Sequence, residues 1–121
     1  KELQYERTTR WITQREQRSS QNLRKELNLA IELSKRRGQE LARAERDYRV
    51  ELAKKILVER DKGIPVTIIS DICRGDEKIA ELKFNRDSAE VLYKSAGEKI
   101  NTTKLELRIV GNQVEAERKG E

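Results

Sequence analysis

The opening segment KELQYERTTRWITQREQRS holds the chain's only tryptophan, Trp11, next to Ile12 and among Arg7, Arg10 and Arg15. Aromatic rings and guanidinium groups are favoured anchors of protein interfaces, the ring filling a pocket while arginines bridge the rim. On that chemistry Trp11 and Ile12 are the expected partner-binding residues, with Arg7, Arg10 and Arg15 around them. The same side chains could stack a base and hold phosphates. A second basic series, Arg36, Arg37, Arg43, Arg46 and Arg49, provides the alternative, a nucleic-acid-binding face that neutralises phosphates and releases counterions.

Catalysis has little to work with. There is no histidine and one cysteine, Cys73, which removes the commonest general base, the usual zinc ligand sets and any internal disulfide. No phosphate-cradling glycine loop, dinucleotide fingerprint or nucleophile elbow occurs. Paired carboxylates can hold a divalent ion in a helical bundle, but most of those here alternate with Lys and Arg as solvated helix surface. The chain is therefore expected to be non-enzymatic, with no cofactor and no metal. No apolar run is long enough for a membrane span; the lone cysteine leaves the redox compartment open, and a reducing cytoplasm is the default expectation. Because the chain begins at Lys1, its natural N-terminus is expected to lie upstream.

The elements that must position these residues are helices. Charged residues make up 40% of the 121 and aromatics 4%, with a mean hydropathy of −0.93. Such a composition cannot fill a layered core; it suits either a disordered chain or long helices, and periodicity decides. Leu23, Leu27, Ala30, Leu41, Ala44, Tyr48 and Leu52 recur at three and four, the spacing of one helical face. Leu82, Ala89, Tyr93, Ala96, Ile100, Leu107, Val110 and Val114 form a stricter heptad stripe if Arg86 and Thr103 fill its gaps. Charge is uneven: residues 1–62 carry 17 basic against 11 acidic side chains, and residues 63–121 carry 10 against 11.

Folding the stripes back on each other requires facing residue numbers to have a constant sum. Tyr48 with Tyr93, Leu41 with Ile100, Leu52 with Ala89 and Leu27 with Val114 each give 141, while Ala44 with Ala96 and Ala30 with Val110 give 140. This register is centred near Ser70. It sets Arg37 against Thr103 and Lys55 against Arg86 as polar layers, and Glu121 opposite Ser20. Residues 1–19 are then an arm without a partner.

The segment KGIPVTIISDICRGD, Lys62 to Asp76, with the sole proline, reads as the turn. Gly63 is the expected C′ glycine and Pro65 stops the first helix. Thr67 is a candidate N-cap for a short helix, Gly75 ends it, and Asp76 caps the returning helix. Ile64, Val66, Ile69 and Ile72 would fold in as a hydrophobic plug, with Cys73 among them. A helix-turn-helix DNA reader packs three helices around a compact core, which flanking helices of this length do not suit. Arg74-Gly75-Asp76 matches a cell-adhesion tripeptide, yet capping uses the same residues.

Leu29, Ile31 and Leu33, and Val91, Leu105 and Ile109, lie off the stripes. Extra apolar positions of this kind point to a larger bundle, so a homo-oligomer is expected. Residues 42–93, through Arg46-Asp47-Tyr48-Arg49, Gly63-Ile64-Pro65-Val66, Arg74-Gly75-Asp76 and Ala80-Glu81-Leu82, resemble small helical-hairpin proteins encoded by phages of Gram-positive bacteria. That resemblance, covering under half the chain, implies a small accessory protein in the host cytoplasm, of a kind with no assigned activity.

The expected architecture is all-α: a long antiparallel two-helix hairpin, or coiled coil, with a short capping helical turn, self-associating into a larger bundle. Its parts are a basic arm at 1–19, a first helix at 20–62, a turn with a short helix at 63–76 and a second helix at 77–119. The expected function is protein–protein interaction or assembly, in the role of a phage accessory or inhibitor protein. The alternative is a nucleic-acid-binding accessory for replication or recombination.

Overall fold

The computed structural model describes the backbone of residues 2–120 and the side chains of residues 14–120. Its elements are α1 (Glu2–Asp61), α2 (Val66–Gly75) and α3 (Glu77–Gly120), with no strand among the described residues. The two long helices pack against each other. Helix α1 runs without interruption through residues 19 and 20. Two compact units can be distinguished, one of Ser34–Ser95 and one of Lys1–Leu33 with Ala96–Glu121.

Within Ser34–Ser95, Gly38, Leu41, Glu45, Tyr48, Leu52, Lys55 and Glu59 are at least half-buried on α1, in steps of three and four. Ile79, Leu82, Arg86 and Ala89 answer them from α3. The helices run antiparallel, because Glu45 pairs with Arg86, Gly38 lies beneath the Tyr93 ring and Lys55 reaches Asp76. In all three pairs the residue numbers add to 131, ten short of the sum expected from the stripes. Tyr48 therefore does not share a layer with Tyr93, Leu52 does not face Ala89, and Lys55 does not face Arg86.

The physical reason is charge and space. A heptad stripe slides past another by whole and half repeats with little change in its apolar contacts, so the stripes alone leave several registers open. The sum of 141 sets the cations Lys55 and Arg86 against each other. The sum of 131 gives Arg86 the Glu45 carboxylate and gives Lys55 that of Asp76, 3.6 Å away. It also puts Gly38, which has no side chain to clash, under the Tyr93 ring.

The end of α1 closes as expected. Gly63 has φ +80°, its N–H donates to the Arg60 carbonyl at 3.0 Å and the Ile64 N–H donates to Glu59 at 3.2 Å. These are the two bonds of a Schellman cap, in which a glycine takes the left-handed conformation without steric cost. Asp76 caps α3, accepting the Ile79 N–H at 3.0 Å on Oδ1. Thr67 does not cap α2: the helix starts two residues earlier than such a cap requires, at Val66, after Pro65, which has no side-chain bond to offer. Of the expected plug, Ile69 and Cys73 are buried and Ile64 and Ile72 half-buried, whereas Val66 points outward.

In the unit of Lys1–Leu33 with Ala96–Glu121, Ser20, Leu23, Leu27 and Ala30 on α1 are at least half-buried at heptad spacing. On α3 Ala96, Ile100, Thr103, Leu107, Val110 and Val114 do the same. Thr103 is fully buried, its hydroxyl donating to the Lys99 carbonyl at 2.8 Å, so it fills a stripe position without leaving a polar group unpaired. Glu16 meets Glu117, numbers adding to 133. Residues 1–19 are thus not wholly without a partner: α3 reaches α1 at least as far as Glu16.

Candidate protein-docking groove

Within Ser34–Ser95, α1, α2 and α3 converge on a groove of about 920 Å³. Helix α1 contributes Tyr48, Leu52, Ile56 and Arg60, one residue per turn along a single ridge. Helix α2 inserts Ile69 and Cys73 as the floor and leaves Val66 at the edge, and α3 supplies Ile79 and Phe84. The groove exists because α2 is only ten residues long. It covers the joint face of the long helices near the turn and then stops, so that face continues uncovered toward Tyr48 and Phe84. Phe84 is 68% exposed and Val66 70%, and both line this one concave apolar surface, the kind of patch that marks an interaction site.

The rim is basic. Arg60, Arg74 and Lys83 line it against a single carboxylate, Asp87. Lys83 and Asp87 pair at 3.2 Å, and Asp87 also accepts from Arg86 at 3.0 Å, with Lys83 a further cause, which holds its pKa below the usual carboxylate value. Arg60 and Arg74 form no ion pair among the described residues. The framework behind the groove is held by charge: Glu59, nearly buried, is kept ionised by Lys55 at 3.1 Å and Lys62 at 3.3 Å. The pKa of Asp76 is lowered first by the Ile79 N–H and then by Lys55. No buried side-chain polar atom among the described residues lacks a partner.

The side chains of Trp11, Ile12, Arg7 and Arg10 lie outside the described residues, and Arg15 is exposed on α1. The second arginine series does not form one face. Arg36 and Arg43, seven apart, share an exposed side of α1, Arg46 and Arg49 are exposed as well, and Arg37 is half-buried. Arg37 binds Glu40 at 3.0 Å, Arg46 binds Asp47 at 3.1 Å and Arg49 binds Glu45 at 2.7 Å. The groove residues drew no functional expectation from sequence, although Phe84, the chain's only phenylalanine, was a signal: it lies off the α3 stripe. No cluster of three or more His, Cys, Asp or Glu suited to a metal occurs among the described residues, and none of their helices is long and apolar enough to cross a membrane. Compared with known proteins, the chain matches no family model, no curated sequence and no solved structure.

Proposed function

We propose that this chain is a non-catalytic helical interaction module that docks another protein in the groove formed by α1, α2 and α3. The observation that carries the reading is the exposure of Phe84 and Val66 over an apolar floor of Leu52, Ile56, Ile69 and Cys73. Small-ligand sites add convergent polar groups that orient the ligand, and this floor offers few. Nucleic acid is the weaker alternative, because three of the five arginines expected to contact phosphate already have carboxylate partners. Exposed Leu29, Val91, Leu105 and Ile109 support self-association as well. The resemblance to phage hairpin proteins supports an accessory or inhibitory role in a host cytoplasm.

Phe84→Glu tests the reading. The residue is exposed, so the variant should keep its helicity and its stability within about 0.5 kcal/mol. Peptides selected from a displayed helix library on the parent chain should lose at least tenfold in affinity on the variant. Selected peptides that bind both proteins equally would remove the groove as the docking surface.

A further inference from the structure

The groove's rim and shape narrow the partner. No free strand edge borders it, since all three walls are helices with internally bonded backbones, so a partner cannot add a strand there. Its long wall is a ridge of Tyr48, Leu52 and Ile56 at successive turns, the relief into which the side chains of another helix interdigitate. Helix α2 already packs on this face by inserting Ile69 and Cys73, four residues apart, and a partner helix could continue the same packing where α2 stops. The lining carries Arg60, Arg74 and Lys83 against Asp87, a net charge of +2. The Lys83 and Asp87 charges are matched to each other, which leaves Arg60 and Arg74 as the unmatched pair. Guanidinium groups on an apolar rim are suited to bidentate bonds with carboxylates.

We propose that the groove receives an amphipathic helix of a partner protein, apolar at i, i+4 and i+7, whose acidic flank meets Arg60 and Arg74. This rests on the docking reading above and adds the chemistry of the occupant to it.

The test is a displayed library of eighteen-residue helices, about five turns long, in which apolar and flanking positions vary independently and flanks are Glu, Lys or Ser. It is selected on the full chain, on Phe84→Glu and on the double variant Arg60→Glu/Arg74→Glu, each checked for helicity by circular dichroism. Expected are Phe84-dependent binders enriched in Glu flanks, about tenfold tighter at 50 mM salt than their Lys-flanked counterparts. That advantage should shrink as salt screens it and reverse on the double variant. Phe84-dependent binders with no preference between Glu and Lys would overturn this inference and leave the docking reading standing. An absence of Phe84-dependent binders would overturn both. Binding to vesicles of anionic phospholipid that fails on both variants, with no helix selected, would replace the partner helix by a lipid surface.

Discussion

Gly38 and Tyr93 offer a direct measurement of the register. A Cβ built on Gly38 would stand 3.2 Å from Tyr93 Cε2 and 3.6 Å from Cδ2, so a methyl group can be admitted only if the ring edge yields a few tenths of an ångström. Tyr93 is 42% exposed and can yield that much. Gly38→Ala should therefore be neutral or slightly stabilising, its steric cost offset by about 1 kcal/mol of helix propensity. A leucine cannot be admitted under the ring. Overpacking of about 2 kcal/mol set against a propensity gain of about 0.8 kcal/mol leaves Gly38→Leu destabilised by roughly 1 kcal/mol. With Tyr93→Ala the obstruction disappears and the same leucine should stabilise by about 0.8 kcal/mol, a coupling near 2 kcal/mol. Urea unfolding of the four proteins, followed by circular dichroism and extrapolated linearly, measures it. Equal effects of Gly38→Leu in both backgrounds would show that Tyr93 does not lie over Gly38, and the register drawn from this contact would fall.

Asp76→Ala should cost about 1 kcal/mol by removing the α3 cap, whereas Asp76→Asn, which keeps an acceptor for the Ile79 N–H, should lose distinctly less; chemical denaturation distinguishes them. Asp76, Glu45, Glu59, Asp87 and Glu90 are all held below their usual pKa, chiefly by bonds from the Ile79 N–H, Arg86, Lys55, Arg86 and Lys94. Their stabilisation is complete above the unfolded carboxylate values near pH 4 and declines as pH falls through the depressed folded values, so urea midpoints should drop on acidification below about pH 4. Glu16 has the opposite sign, because its contact with Glu117 raises its pKa. Its contribution is complete below the normal value and lost as pH rises through the raised one, so Glu16→Gln should stabilise near neutrality and change little at pH 3. Cys73 is 2% exposed and should react with a thiol reagent only as the protein opens, the labelling rate rising with urea in step with unfolding.

The helices, their stripes and both ends of the turn were legible in the sequence. The Gly63 and Asp76 caps bond backbone groups within a few residues, and Pro65 acts through its own ring, so reading these ends requires only their neighbours. The register was not legible from the stripes, because Leu, Ala and Ile at heptad spacing match one another at more than one offset. The information that sets it was present elsewhere, in Lys55 and Arg86. A pairing that makes two cations face each other is electrostatically disfavoured, and moving ten residues gives each of them a carboxylate. Phe84 and the groove were hidden for a related reason. Only after the register is known does it become clear that α2 is too short to cover the face on which Phe84 stands.

The junction of the helices has a kinetic consequence. Lys55 holds Glu59 on its own helix and Asp76 on the next, closing a loop of some twenty residues, whereas Glu45 with Arg86 closes one of about forty and Gly38 with Tyr93 one of more than fifty. Loop closure costs more entropy as the loop lengthens. The contacts nearest the turn can therefore form first, each one shortening the remaining loop for the next. Residues 55–79 are then the expected nucleus from which α1 and α3 of this unit zip together. Substitutions there should slow folding, while those at Gly38 and Tyr93 act mainly on unfolding.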